Sequence, residues 1–334
     1  MSSPARRALA PLGIAILVCA LTALLYHLRR LSPPSADSVE IAGFVERGPW
    51  IWYLRWPLTH LLAQALHRWA GLSGADALAL LSSVAGALFL LTVGAIARRS
   101  PLILITLLSG MPLILMGHIE VYAWPSLILL WLLLLGPLHL KGKMPLTPLV
   151  TLFGIGCLMH MLLAFYAPAL VWLAVQGRRR ALERGADPMR IRADLAGALA
   201  RIIALMVILT VMPLLLISHG FDNDLERLVP LTPPEVPRSS NQVTLLSPGH
   251  LTAIGMFLAI SCPAGLVLTL ARVRRLWSSD AIQFSAIAAL CGLVFLVLWH
   301  PDMGWRGDWD LFAHPGLAIN VLAWRLWSGR GDPT

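Results

Sequence analysis

Charged side chains are scarce in this sequence of 334 residues: they make up 13% of it, while hydrophobic residues make up 57%. A soluble domain of this size does not need so much apolar surface, and long uncharged stretches are typical of membrane spans. The sequence therefore predicts an all-α polytopic membrane protein. Its net charge of +9 fits basic loops on the cytoplasmic side of a membrane. Because no basic patch alternates with exposed aromatic residues, we expect no nucleic acid partner.

Cysteines are few, and the common hydrolase motifs are missing. Each cysteine lies inside an apolar run, and none has C-x-x-C spacing, so we expect small buried hydrophobes and not disulfides or a zinc site. The sequence has no HExxH, P-loop or G-x-S-x-G motif, which leaves metalloprotease, nucleotide-hydrolysing and lipase-type activities without support. The four cysteines are Cys19, Cys157, Cys262 and Cys291.

Long apolar runs dominate what is present. A membrane span takes about 20 residues, and the first, second, eighth and ninth runs are long enough to cross. The stretches 101–138 and 145–176 are each too long for one helix and short for two, so they predict paired short or broken helices. The first run has a basic start and no small-residue cleavage site, which predicts an uncleaved span. The runs fall at about 8–26, 77–97, 101–117, 119–138, 145–160, 161–176, 202–218, 251–271, 281–299 and 315–328.

Charge suggests how these runs are threaded. With a cytoplasmic N-terminus and about ten transmembrane or half-membrane helices, 17 Lys and Arg residues lie inside and 8 outside, with Arg325 at a boundary. This is the distribution expected of the cytoplasmic (inner) membrane of a bacterium, with both termini in the cytoplasm. The acids divide the other way, 12 of 17 outside. Since acids hardly influence insertion, their concentration on the outer face needs its own explanation.

The whole chain, 1–334, is predicted to be one integral membrane domain with three outer loops, 27–76, 219–250 and 300–314. Within the first loop, "WPLTHLLAQALHRWAG" has apolar residues at helical spacing and Trp at both ends. That pattern is typical of a helix lying in the membrane interface.

Several ionisable residues are predicted to share the outer edge of the membrane. Such groups are costly near a bilayer, so their convergence suggests a site. Individual roles stay open: Asp37 also fits a helix N-cap, Asp308 and Asp310 also fit ion pairs with Arg306, and His160 and His250 also fit bonds to loop carbonyls. The candidates are Asp37, Glu40, His118, Glu120, His160, His250 and, from "HPDMGWRGDWDLFAHP", His300, Asp302, Arg306, Asp308, Asp310 and His314.

The order of these segments resembles the GT-C class of membrane glycosyltransferases, in particular a bacterial GT-C-like branch. A cytoplasmic N-terminus and one span lead to an outer loop with an acidic residue in "SADSVEIAGF" and the "WPLTHLLAQALHRWAG" helix, and short paired spans follow. "GHIEVYA" and "PDMGWRGDWDLFA" also resemble segments of that branch. The resemblance implies a polyprenyl-phosphate sugar as lipid donor and transfer to an acceptor, of unknown identity, at the outer face.

The resemblance also implies roles. Asp37 is the candidate general base, since an inverting transfer needs a carboxylate to take the proton of the acceptor hydroxyl. The phosphate leaving group needs a cation or hydrogen-bond donors, or a divalent metal such as Mg²⁺ or Mn²⁺ held by Asp308 and Asp310. Two alternatives stay open: a secondary transporter with a polar site around Glu120 and His160, and a non-catalytic GT-C-like membrane protein. The other catalytic candidates are Glu40 and Glu120, and the substrate-binding candidates are His118, His160, His250, Arg306, Asp308 and Asp310.

Overall fold

The computed structural model describes residues 4–29, 36–47, 50–53, 55–98, 100–108, 119, 121–215, 217–219, 229, 244–299 and 309–328. These residues are helical apart from turns and one pair of short strands. The α-helices are α1 Pro4–Leu28, α2 Ala36–Glu46, α3 Pro57–Ala70, α4 Gly74–Ala97, α5 Leu102–Leu107, α6 Ala123–Leu140, α7 Leu146–Met159, α8 Ala167–Glu183, α9 Pro188–Leu215, α10 Pro248–Ser261, α11 Pro263–Ala271, α12 Asp280–Leu298 and α13 Trp309–Ser328. Short 3-10 turns cover Met161–Tyr166 and Val273–Arg275, and the strands are β1 Ile51–Tyr53 and β2 Ile217–His219.

Four helical segments among the described residues are long and apolar enough to cross a membrane, or five if one bent pair counts as a span. Two further apolar helices, Gly13–Leu28 and Leu146–Met159, are shorter. Exposed apolar side chains on helices of this length are stable in lipid but not in water. The apolar helices therefore indicate a membrane-embedded protein. The four segments are Gly74–Ala97, Ala123–Leu140, Met161–Glu183 and Asp280–Leu298.

The stretch 145–176 is a broken helix pair, as its length suggested. Helix α7 ends at Met159, His160 has an extended backbone, and a 3-10 turn leads into α8. The break falls at His160 and not at Gly154, Gly156 or Pro168, the residues most expected to interrupt a helix.

The run 251–271, expected to cross as one helix, is instead bent by 99° between α10 and α11. Pro263 explains the position of the bend. It has no N–H to donate, and it disfavours helical geometry in the residue before it, Cys262. Asn320 of α13 donates from its side chain to the carbonyl of Ser261, which the bend exposes.

Helix ends meet at two opposite ends of the bundle. The first is here called the basic end. There Arg180, which follows the apolar part of α8, binds Asp280 at the start of α12 through Nε–Oδ2 (2.5 Å) and Nη2–Oδ1 (3.0 Å). Arg184 donates there to the carbonyl of Leu140 at the end of α6 (2.7 Å). The ends of α6 and α8 and the start of α12 therefore meet on this side of the bundle.

The second end, here called the loop end, gathers the opposite helix termini. Tyr26 at the end of α1 donates to Asp76 at the start of α4 (2.8 Å), and Arg29 pairs with the same carboxylate. His250 at the start of α10 binds the carbonyl of Val297 at the end of α12 (2.9 Å). The strands lie on this side too: β1, in the loop between α2 and α3, pairs in parallel with β2, a feature that the all-α prediction did not contain.

Candidate functional site

Helix α3 of the first loop buries its polar face. Pro57 occupies its first turn, where a missing N–H costs nothing, and Gly71 ends it with φ 67°. Its most buried side chains include Thr59, His60 and Gln64, each at most 2% exposed, while its leucines are only half-buried. The expected amphipathic helix is present, and its polar face points into the protein.

The polar face of α3 meets the helix break at His160. The backbone N–H of Met161 donates to the carbonyl of Arg55 (2.7 Å), and Thr59 Oγ1 donates to the carbonyl of Met159 (2.9 Å). The ring nitrogen Nδ1 of His160 accepts from the N–H of Leu162 (3.0 Å). Backbone groups that the break removes from helical bonding are thus satisfied by the first loop, which fixes the loop against the bundle.

Aromatic rings surround His160. Trp56 stacks on its imidazole with ring centroids 5.7 Å apart, and Tyr122 lies at 5.0 Å on a tilt. Tyr53 continues the stack, 4.3 Å from Trp56, and also contacts His60 at 5.8 Å. Tyr53 and Tyr122 are half-buried, so the stack runs from the interior to the edge of the cluster.

A second histidine enters from α13. His314 is fully buried, lies within electrostatic range of His160, and has its ring centroid 5.9 Å from that of Tyr166 in an edge-on contact. The hydroxyl of Tyr166 and Nε2 of His160 are buried and find no hydrogen-bond partner among the residues that the structure describes. Leaving such groups unsatisfied costs about 1–3 kcal/mol each. The cluster is therefore suited to hold water or the hydroxyl groups of a ligand.

The electrostatics of this cluster favour neutral histidine. His160 lies just before the candidate span Met161–Glu183. Burial lowers the pKa of His160 to about 3, and the nearby His314 and the positive charge of Arg55 act in the same direction. A neutral imidazole can both donate and accept a hydrogen bond. Arg55 is the fixed cation near it.

The structure describes four of the predicted site side chains, and one of them is His314, which lies in the cluster as described above. His160 is at the centre of the cluster. His250 is fully buried, and its ring bonds to the carbonyl of Val297. This is the bond to a carbonyl that was the alternative to a substrate-binding role. Glu40 on α2 is exposed.

The remaining predicted residues are described in part or not at all. Asp37 lies in the first turn of α2 and Asp310 in the first turn of α13, and nothing is described of either side chain. Outside the described residues lie His118, Glu120, His300, Asp302, Arg306 and Asp308.

The backbone on both sides of position 120 is nevertheless placed. Ile119 and Val121 are buried in one apolar cluster with Ile41, Ala42 and Val45 of α2. Tyr122, the next residue, touches His160. The helix that carries Asp37 and Glu40, the turn around 120 and the break at 160 are therefore neighbours.

Sequence reasoning did not single out several members of the cluster. A signal was present for two of them: His60 and Gln64 are four residues apart in "THLLAQ", so they share a helix face among apolar residues. The aromatic members gave no such signal, because Tyr and Trp also occur as interface anchors. The missed residues are Tyr53, Arg55, Trp56, His60, Gln64, Tyr122 and Tyr166.

Among the residues that the structure describes, no three His, Cys, Asp or Glu side chains come together as a metal site would require. The proposed ligands Asp308 and Asp310 have no described side chains. A requirement for Mg²⁺ or Mn²⁺ stays a prediction, and no chemical step is assigned to a metal.

Comparisons with protein-family models, with curated proteins and with solved structures gave no match to this chain.

Proposed function

We propose that this protein is a GT-C-like glycosyltransferase of the bacterial cytoplasmic membrane, which moves a sugar from a polyprenyl-phosphate donor to an acceptor at the outer face. The observation that carries the proposal is the docking of the first loop onto the break at His160. The hydrogen bonds to Met159 and Met161 join the two segments into a buried polar cluster at one end of an apolar bundle.

The two ends of the bundle support the proposed topology. The basic end carries Arg180, Arg184 and the exposed Arg190 and Arg192, as a cytoplasmic side would. The cluster around His160 lies at the opposite end, together with both strands and the start of α4. The proposed topology has about ten transmembrane or half-membrane helices with both termini inside, and four or five of its spans are among the described residues.

The reaction that fits these groups is a single displacement. A carboxylate, for which Asp37 is the candidate, takes the proton of the acceptor hydroxyl as its oxygen bonds to the anomeric carbon of the sugar. The bond from that carbon to the phosphate oxygen breaks, and its electron pair leaves with the lipid phosphate. In this proposal the charge of Arg55 stabilises the added negative charge, and the neutral side chains of His160 and Tyr166 bind the sugar hydroxyls.

The proposal keeps Glu40 and Glu120 as alternative candidates for the base. Ile119 and Val121, on either side of Glu120 in the chain, pack with Ile41 of α2, the helix that carries Glu40. Asp310 is the second residue of α13, the helix that also carries His314.

A transporter is the second candidate, because a broken helix with a buried histidine is also a feature of transporter binding sites. Such sites lie near the bilayer midplane. His160 instead precedes the first residue of the apolar segment Met161–Glu183 and is tied to the first outer loop. This position at the end of a span favours transfer over transport.

The test is transfer of radiolabelled sugar from a panel of polyprenyl-phosphate sugars by the purified full-length protein, with Asp37→Asn and a matched control, Asp187→Asn. Asp187 is exposed and lies in the turn before α9 at the basic end. We expect transfer by the native protein and the control, and its loss by at least 100-fold in Asp37→Asn. EDTA followed by Mg²⁺ or Mn²⁺ tests the metal requirement.

Other outcomes separate the alternatives. Equal transfer by Asp37→Asn would move the base to Glu120 or Glu40. Sugar uptake into sealed proteoliposomes without any transfer would replace the proposal by the transporter. Neither transfer nor uptake across the panel, with a lysate supplying acceptors, would favour a non-catalytic membrane protein.

A further inference from the structure

The segment from Pro263 to Trp277 is unusual among the apolar segments because it follows a bend of 99°. Helix α10 before the bend has 14 residues, which rise only about 21 Å at 1.5 Å per residue. A bilayer core is about 30 Å thick. Helix α11 then follows α13 to the basic end, with Gly265 beside Asn320 and Arg272 bonded to Leu326, so the residues after α11 lie at that end of the bundle.

The outward side of this segment is apolar and basic together. Val267 and Leu270 of α11 are exposed, and Trp277 is 71% exposed. Arg274 and Arg275 are exposed between them and the start of α12. Exposed Trp beside Arg is typical of the headgroup level of a membrane, where an amphipathic ring and a cation both find partners.

The segment is held in this position from its inner side. Arg272 donates to the carbonyl of Leu326 (3.0 Å), and its guanidinium lies over the ring of Trp327, 3.9 Å from the centroid. Trp327 in turn donates to the carbonyl of Leu268 (2.8 Å). Asp280, the acid at the start of α12, is bound by Arg180. Arg272 is therefore used for packing, while Arg274 and Arg275 face outward.

We infer that residues 272–277 lie at the membrane surface at the basic end and bind the anionic headgroups of phospholipids through Arg274 and Arg275, with Trp277 beside them. The occupant is a bilayer surface because the exposed apolar side chains need lipid and the guanidinium groups need phosphate or another anion at the same level. This inference is independent of the proposed transfer reaction.

The experiment measures the thermal unfolding midpoint of the full-length protein in mixed micelles containing increasing phosphatidylglycerol or phosphatidylcholine. A ligand that binds the folded state raises that midpoint. The variants are Arg274→Gln/Arg275→Gln and a matched control, Arg190→Gln/Arg192→Gln, which removes equal charge from exposed positions of α9 at the same end.

We expect phosphatidylglycerol to raise the midpoint of the native protein and the control, and the Arg274/Arg275 variant to lose at least half of that rise. Quenching of fluorescence by brominated phosphatidylglycerol should also fall in Trp277→Phe. The inference would be overturned by an equal rise with phosphatidylcholine, or by an unchanged rise in the Arg274/Arg275 variant. An equal loss in the control would also overturn it, because the effect would then depend only on net charge.

Discussion

Arg325 donates from Nη2 to the carbonyl oxygen of Leu133, 2.6 Å away in a different helix. This carbonyl is available because the residue four positions later in α6 is Pro137, which has no N–H to return. Arg325 also donates to the carbonyl of Ala281 (3.0 Å) and is 5% exposed. A basic residue that looked like the boundary of a weak last span therefore joins three helices.

This relationship predicts an energetic coupling. Pro137→Ala restores an N–H that can bond to the carbonyl of Leu133, so Arg325→Met should cost about 1–3 kcal/mol less in the Pro137→Ala background than in the native one. A double-mutant cycle of unfolding free energies in mixed micelles measures the difference. Costs that agree within about 0.5 kcal/mol in both backgrounds would show that the bond has no such role.

Asp194 of α9 caps the N-terminus of α7, and the strength of this contact should depend on pH. Its carboxylate accepts from the N–H of Leu146 (2.6 Å) and of Thr147 (2.9 Å), the first residues of α7. Burial raises the pKa of Asp194, but these hydrogen bonds outweigh it and hold the pKa below its ordinary 3.8. Because the folded-state pKa is the lower one, the stabilisation is present above about pH 3.8 and is lost as pH falls through the folded value.

The measurement is the unfolding free energy of Asp194→Ala against the native protein between pH 7 and pH 2.5. We expect a deficit of about 0.5–2 kcal/mol at pH 7, which shrinks below the ordinary carboxyl pKa. Thr147→Val, which keeps both backbone donors, should cost less. A deficit that stays constant to the lowest pH would mean that the charge of Asp194 does not stabilise the cap.

Thr59 should be needed to hold the first loop on the bundle. The N–H of Leu163, the helical partner of the Met159 carbonyl, donates instead to His160 (3.2 Å), so Thr59 supplies the missing donor. Thr59→Val keeps the shape and removes that bond. We expect a loss of about 1–3 kcal/mol in stability and slower transfer.

The control is Ser83→Ala, since Ser83 is also fully buried but bonds to the carbonyl of Ala79 in its own helix. Because that carbonyl belongs to the helix's own hydrogen-bond ladder, the effect should be under about 1 kcal/mol. If Thr59→Val were as mild as this control, the docking of the loop would rest on packing and not on the hydrogen bond.

Gly292 sets the position of the Tyr166 hydroxyl. A Cβ at this position of α12 would lie 2.9 Å from that oxygen and 3.0 Å from Cβ of Pro315. Gly292→Ala should therefore destabilise the protein by about 1–3 kcal/mol and shift Tyr166 relative to His314. The expected kinetic result is a raised KM for the sugar donor.

Gly255→Ala is the matched control, because a Cβ there meets nothing within 4 Å. The better helix propensity of Ala should make it neutral or more stable by up to about 1 kcal/mol. Identical behaviour of the two variants in unfolding and in KM would count against a fixed place for Tyr166.

The sequence predicted the apolar helices because membrane insertion depends on the mean hydropathy of a segment, which can be read directly. The break in 145–176 was expected from its length, but its position at His160 depends on bonds to Arg55 and Thr59, about 100 residues earlier in the chain. A pattern in the local sequence cannot predict bonds to residues so far away in the chain. The bend at Pro263 was not predicted, although a proline inside an apolar run, as in "SCPAG", is a signal for one.

Helix α3 shows why the site was found only in part. Its periodicity gives two faces, but whether the polar face meets water or protein depends on what packs against it. In this protein the polar face with His60 and Gln64 is buried. The ionisable residues of the outer loops were identified as candidates from charge alone, whereas the aromatic stack from Tyr53 to His160 arises only when three distant segments meet.

The parallel pairing of β1 with β2 has a consequence for biosynthesis. Ile51 is aligned with Ile217, 166 positions later in the chain. As synthesis proceeds from the N-terminus, the first loop is made long before its partner strand exists, and α4 to α9 are made in the interval. Closing so large a loop makes this pairing a slow, late contact. The first loop should therefore stay open to protease until the helix ending at Leu215 has emerged, and the cluster around His160 would be among the last parts of the protein to mature.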